Sequence, residues 1–333
     1  STPIKSSAAS DVYKRQIVNH VEPDHAGALP ALVKAAPNAK FFITAQGKAE
    51  AIRHYGDLYD FQVVKDGDKL SLGKRELTFV TLPMLHWPDS MATYCADDGI
   101  LFSNDAFGQH YAAAKRFDDE VDLGILFYEA KKYFANILWP YAKLIDKALA
   151  KAAALDLKMI ATAHGIIWRS HIQEIIAKYA AWGKGVSGSS VVIAYDTMWG
   201  ATEQMARAVL EGVVSAGSDA VLLRMNETPN STAVADLFEA GGMIIGSSTL
   251  NSGMLPTMGS LLVYLKGLNP TGKKAAVFGT YGWAGGAQKD MEALLTAAGF
   301  ELEPGFTCKW KAQPEDLEAA RQLGYEFARK LQK

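Results

Sequence analysis

The octapeptide His20-Val21-Glu22-Pro23-Asp24-His25-Ala26-Gly27 places two imidazoles and two carboxylates in six successive positions, behind the apolar pair Ile17-Val18. Imidazole nitrogen and carboxylate oxygen are the donors with which proteins hold divalent transition ions, so the chemistry on offer is metal binding. Read as an extended segment leaving a strand, positions 20, 22 and 24 project to one side because side chains alternate with period two. One imidazole and two carboxylates then converge, and His25 aims elsewhere, which suits a second ion nearby. Asp-His-Ala-Gly leads into a helix expected over residues 28–36. Taken alone, a polar loop of this composition is more often simply solvated.

Three further apolar runs shift that balance, because each ends on another candidate ligand. Residues 77–83 precede His86, residues 99–103 precede Asp105, and residues 158–162 precede His164. Strands that each deliver one ligand at their end are how a sheet assembles a metal site from distant sequence. Between them, residues 41–44 and 61–65 read as strands and 49–55 as helix. Residues 91–95 and 100–103 form a hairpin around Asp98-Gly99. A helical section is expected over 126–155, rich in Ala, Lys and Leu, with its aromatics in the core. A strand over 158–163 carries His164, and a closing helix covers 172–182.

The His-x-Glu-x-Asp-His pattern, with His86 in His-Trp-Pro-Asp-Ser, Asp105 in Ser-Asn-Asp-Ala-Phe-Gly and His164 in Ala-His-Gly, resembles the flavodiiron proteins. These join a metallo-β-lactamase-like αββα domain to a flavodoxin-like domain, and the likeness runs from about residue 16 to the end. The resemblance implies one iron held by His20, Glu22 and His86, another by Asp24, His25 and His164, and Asp105 bridging them. The donor set agrees with iron. Zinc hydrolases on this fold usually present His-x-His-x-Asp-His, whereas Glu22 here gives four imidazoles and three carboxylates, and harder oxygen donors suit iron or manganese better than zinc. No cysteine, the softest zinc ligand, enters the cluster.

Beyond residues 183–190, a Gly/Ser linker, the pattern changes to strict strand-helix alternation. Residues 191–195, 220–223, 242–245 and 274–278 are continuous apolar strands with both faces buried. A fifth strand over 301–309 and helices over 202–216, 233–239, 256–265, 287–298 and 314–331 complete a parallel, doubly wound sheet of order 2-1-3-4-5. In that order a ligand lies at the carboxyl ends of the strands. The first such loop holds Thr197, Met198, Trp199, Gly200, Ala201 and Thr202, where hydroxyls, a glycine and a helix N-terminus make a phosphate cradle. Lysine is missing from it, which argues against a nucleotide triphosphate loop. The second offers Ser248, Thr249, Leu250, Asn251 and Gly253, and the third Thr280, Tyr281, Gly282, Trp283 and Gly285, with aromatic planes for a flavin ring. The three loops resemble those of flavodoxin-like domains in flavodiiron proteins, with Ala201 where Ser is common, and point to FMN.

With 333 residues, 49% of them hydrophobic and 21% charged, the chain suits two globular domains and not a disordered class, expected at 16–182 and 191–333. Its 34 basic and 36 acidic residues leave a net charge of −2, with nothing to attract nucleic acid or an anionic membrane. Cys95 and Cys308 form neither a Cys-x-x-Cys pair nor a disulfide framework, so a reducing, cytoplasmic setting is expected. The four thiolates of a rubredoxin-type iron site are lacking as well. No apolar run reaches the roughly 18 to 20 residues of a membrane helix. Residues 1–15 are small, polar and basic without a period. Because the family carries further strands ahead of the first motif, they read as a disordered or foreign joint on an N-terminally truncated chain.

The resemblance implies an oxidoreductase reducing dioxygen to water, or nitric oxide to nitrous oxide, at a di-iron site fed by FMN. It also implies a head-to-tail homodimer or dimer of dimers, setting one subunit's flavin beside the other's metals, and an external donor such as rubredoxin or a reduced deazaflavin. His110 is a candidate for a supporting or proton-supplying group, although a surface or packed histidine is the commoner case, while His54 and His171 read as structural. The rival readings are a zinc-dependent hydrolase with an appended flavodoxin domain, and a flavodoxin-type electron carrier whose first domain is inert.

Overall fold

A computed structural model describes residues 14–185 and 187–332. The chain divides into two compact units, one running to Tyr133 and resuming over Tyr141–Lys184, the other comprising Phe134–Pro140 and the chain from Gly185 onward.

The first unit stacks two sheets. β1 (Arg15–Val18), β2 (Lys40–Ile43) and β3 (Asp60–Val63) form a parallel sheet in that order. β4 (Lys69–Ser71), β5 (Glu76–Thr81), β6 (Met91–Cys95), β7 (Ile100–Asn104) and β8 (Met159–Thr162) form the second, antiparallel except for the β7–β8 pair. Alternation along β2 and β5 turns Phe42 and Phe79 toward the same cluster, where they stack at 6.2 Å with Met91 and Val64. Burying such a side chain contributes about 1.5–3 kcal/mol, which fixes the register of both sheets. Four strands, β1, β5, β7 and β8, therefore end at the loops that carry His20, His86, Asp105 and His164.

Three expectations about the chain up to residue 184 are corrected. The octapeptide is not extended beyond Glu22, since Pro23–Ala26 is a helical turn with Glu22 at its N-cap and Pro at its first position. Proline there gives up only an N–H that has no helical partner anyway. The helical section expected over 126–155 is broken into a helix over Leu123–Tyr133, a wide turn over Phe134–Leu138, a tight turn over Trp139–Leu144 and a helix over Ile145–Ala152. Pro140 has no N–H to continue the ladder. The closing helix extends over Ile172–Lys184, absorbing the first residues of the expected linker. The joint expected over residues 1–15 lies outside the described residues up to position 13, and Arg15 already pairs with Lys40 in β1.

In the second unit β9 (Val191–Asp196), β10 (Ala220–Arg224), β11 (Gly242–Ser248) and β12 (Lys274–Tyr281) align in the order β10-β9-β11-β12, followed by the fifth position, as expected for 2-1-3-4-5. The fifth strand is two pieces, β13 (Glu301–Leu302) and β14 (Phe306–Lys309), both paired with β12. Pro304-Gly305 separates them, and proline cannot donate to the ladder. Val191, Ile193, Ile244 and Phe278 are buried against Met205, Val209 and Phe327 of the flanking helices. Among the described residues no helix is long and apolar enough to cross a membrane.

Candidate functional site

All seven sequence-predicted ligands lie together, in two groups that share one residue. In the first group His20 Nε2 is 3.1 Å and His86 Nε2 3.4 Å from Glu22 Oε2, and both face Asp105 Oδ2 at 3.6 and 3.8 Å. In the second, His25 Nε2 and His164 Nε2 are 3.0 and 3.1 Å from Asp105 Oδ1, and 3.6 and 3.4 Å from Asp24 Oδ2. The helical turn at Pro23 explains the split. It rotates Asp24 away from His20 and Glu22, so the convergence of 20, 22 and 24 expected from period two does not occur.

The spacings fit metal ions. Around an ion with donors at about 2.1 Å, neighbouring donors stand about 3.0 Å apart in an octahedron and about 3.4 Å in a tetrahedron. His25 Nε2 and His164 Nε2 are 3.2 Å apart, a contact that either a hydrogen bond between complementary tautomers or a shared cation satisfies.

Supporting side chains fix these orientations. Asp89, buried, receives His20 Nδ1 at 2.9 Å and the Val21 N–H at 2.7 Å, so the proton sits on Nδ1 and the Nε2 lone pair faces the pocket. Tyr133 donates to Asp105 Oδ1 at 3.1 Å, and the Asn104 amide to Oδ2 at 3.1 Å. Gln109, fully buried, ties the Asp105 loop to the His164 loop. Its amide donates to Phe107 O (2.7 Å) and Ile166 O (3.3 Å), and its Oε1 accepts the Ile166 N–H at 2.7 Å. At Gly165, φ is +81°, and a Cβ would stand 2.3 Å from Gln109 Oε1, so only glycine fits. His110, exposed, has its ring 4.9 Å from Tyr133 and 5.7 Å from His164.

Electrostatics follow the geometry. Burial alone would raise the Asp105 carboxyl, but hydrogen bonds from His164 and His25 hold it far below the usual carboxylate range. Burial lowers His20, and the Asp89 carboxylate overrides it to a net rise. The Asp105 contact raises His164, while burial lowers His86 and, with the nearby His164, His110. Burial and Asp105 push the Tyr133 phenol up, so it stays a proton donor.

At the carboxyl ends of β9, β11 and β12 lies a cavity of about 880 Å³. Met198, Trp199, Ala201, residues 248–251 and residues 280–283 line it, as expected. Thr197, Gly200, Thr202, Gly253 and Gly285, also expected at the site, are not part of this lining. Thr197 Oγ1 accepts the Gly200 N–H at 3.0 Å. Gly200 takes φ 86° and opens the helix Ala201–Ser215 without a side-chain cap, leaving its first N–H groups for an anion. Thr202, buried, links its hydroxyl to Ser248 (2.9 Å) and Thr280 (3.0 Å), and Gly253 closes the second loop on Leu250 at 2.9 Å. Anion-binding amides beside exposed aromatic faces fit the phosphate and ring of FMN.

Sequence reasoning did not single out Asp89, Asn104, Tyr133 or Gln109. The first two stood inside quoted motifs, but Tyr133 looked like any core aromatic. It also passed over Gln204, Ser252, Ala284, Trp310 and Lys311 of the flavin cavity. Because β14 pairs with the end of β12, Trp310 donates its backbone N–H to Tyr281 O at 2.7 Å and brings its ring 6.0 Å from Trp283. The carboxyl end of the fifth strand was the available signal.

Residues 3–165 match the ODP family beta lactamase and residues 193–324 the flavodoxin family. The nitric oxide reductase of Moorella thermoacetica is 44% identical over 320 residues, which cover 95% of this chain and 80% of that protein. Among solved structures, rubredoxin oxygen:oxidoreductase from the anaerobe Desulfovibrio gigas gives a TM-score of 0.93 at 36% identity, covering 98% of this chain and 83% of that one. The flavodiiron protein from Giardia intestinalis gives 0.92 at 36% identity, covering 96% and 80%.

Proposed function

This chain belongs to the flavodiiron protein family, and on that premise we propose that it reduces nitric oxide to nitrous oxide, or dioxygen to water, at a di-iron centre supplied by FMN. The observation that carries the reading is Asp105, whose two oxygens face two separate ligand groups. His20, Glu22 and His86 would hold one iron, and Asp24, His25 and His164 the other. When bound, the iron pair offers a site for a diatomic oxidant and FMN delivers electrons singly. The flavin would lie in the cavity lined by Met198, Trp199, Ala201, Gln204 and residues 248–252, 280–284 and 310–311. The names of the relatives, one a nitric oxide reductase and one a rubredoxin oxygen:oxidoreductase, support both oxidants.

The chain's own residues do the positioning. Asp89 fixes the His20 tautomer, and Tyr133 and Asn104 orient the buried Asp105 carboxylate. Reduction of two nitric oxide molecules consumes two electrons and two protons, and of dioxygen four of each. His110, exposed beside His164 and Tyr133, would be a group that passes protons inward.

Metal analysis of protein purified without air tests the centre, with about two irons per chain expected; two zincs would point to a hydrolase. In anaerobic stopped-flow, Glu22→Ala is expected to abolish reoxidation of reduced flavin by nitric oxide or oxygen, and an unaffected rate would sink the mechanism. Consumption of the two gases assayed side by side ranks them. Electrons would arrive from a separate donor such as rubredoxin or a reduced deazaflavin, in the cytoplasm, and a head-to-tail homodimer would bring flavin and irons together. A monomer by light scattering that turned over at full rate would rule the dimer out.

A further inference from the structure

We propose that Asn104 is a positioning residue that holds the bridging carboxylate toward the His20–Glu22–His86 half of the centre, independently of the other half. The inference rests on the di-iron reading above and deepens it.

Asn104 ends β7 where the β7–β8 register shifts between Phe102 and Asn104. Its backbone is left-handed, with φ 59°, a conformation that asparagine tolerates better than other side chains apart from glycine. That turn points the next residue, Asp105, into the pocket. The Asn104 carbonyl accepts the Ala163 N–H at 2.9 Å, so the same residue ties β7 to the strand end carrying His164. Its side chain, 8% exposed, donates to Asp105 Oδ2, the oxygen that faces His20 and His86. The other oxygen has a different donor, the Tyr133 phenol. Each half of the centre thus has its own hydrogen bond on the shared carboxylate, a neutral amide on one side and a phenol on the other. Hydrogen bonds to a ligating carboxylate orient it and set how tightly its ion is held. Only the amide nitrogen of Asn104 can serve here, because Asp105 is ionised and accepts alone.

Two variants separate the amide from the backbone turn. Asn104→Gly keeps the left-handed backbone at no steric cost but removes the donor. Asn104→Asp keeps the shape and faces one acceptor with another. Both are expected to keep wild-type FMN content, judged on the anaerobically loaded holoprotein, with the first unit unfolding at a somewhat lower temperature, more so in Asn104→Asp, which sets two carboxylates side by side. A ferrous chelator should strip iron from Asn104→Gly about tenfold faster or more, and from Asn104→Asp faster still. One of the two Mössbauer doublets should shift while the other stays. Wild-type stripping rates in both variants would overturn the proposal. So would equal shifts of both doublets, which is what a general loosening of the loop gives. If the wild-type chain loads two zinc ions instead of iron, the redox reading fails. The stripping comparison still decides the role of Asn104, since the carboxylate would bridge either metal.

Discussion

The metal pocket and the flavin cavity are built by opposite means. In the first, ligands are held by buried side-chain links between loops far apart in the chain. Asp89 reaches His20 across 69 positions, Gln109 reaches Ile166 across 57, and Tyr133 reaches Asp105 across 28. In the second, three loops sit at consecutive strand ends of a regular parallel sheet, and the backbone ladder has already placed them. A buried amide or carboxylate left without its partner costs about 1–3 kcal/mol, more if charged, whereas trimming an exposed side chain on a rigid loop costs little. The metal pocket should therefore be brittle and the flavin cavity tolerant.

Four substitutions break or sharpen that contrast. The largest effect is expected from Gly165→Ala, which needs both a left-handed alanine and room where Gln109 O stands 2.4 Å from the new Cβ. A loss of at least about 3 kcal/mol in chemical denaturation of the first unit is expected, together with loss of bound metal. Normal stability in this variant would show the His164 loop to be adaptable. Gln109→Leu comes next, stranding the buried Ile166 N–H at a cost of about 1–3 kcal/mol, while Phe107 O keeps Trp168 Nε1 and Ile166 O keeps the Thr162 hydroxyl, with metal content falling while flavin content stays. Equal loss of both cofactors would contradict the separation of the two sites.

Thr202→Val removes the hydroxyl that joins Ser248 to Thr280. We expect a cost of about 1 kcal/mol and a few-fold weaker flavin binding by fluorescence titration, because the sheet keeps the loops in place. A collapse of the second unit would mean that hydroxyls, not the ladder, build this cavity. Trp283→Ala is expected to be the mildest. The side chain is 86% exposed, so unfolding should move by less than about 0.5 kcal/mol, while flavin affinity and the quenching of tryptophan fluorescence on flavin addition fall. Unchanged quenching would place the flavin ring away from this wall.

Much of this was legible in the residues. The seven candidate ligands could be named because imidazoles and carboxylates cluster at the ends of apolar runs in a pattern that resembles the flavodiiron proteins. The doubly wound order of the second unit followed from continuous apolar strands between helices, a pattern that only a sheet covered on both faces requires. Local patterns failed where one residue governs the backbone. Pro23 turned the octapeptide into a helix, Pro140 broke a long helical run, and Pro304 divided the fifth strand.

The chain's own order of residues settled which donors are available and which sheet carries the flavin loops, because ligand type and burial period are properties of short segments. Folding alone decided that Asp105 turns one oxygen to each ligand group, and that Asp89, Asn104, Tyr133 and Gln109 stand behind the ligands. It also decided that Trp310 joins the flavin wall. Those contacts depend on strand register and loop direction across tens of positions, and no local pattern encodes a distance between side chains that meet only once the sheets have closed.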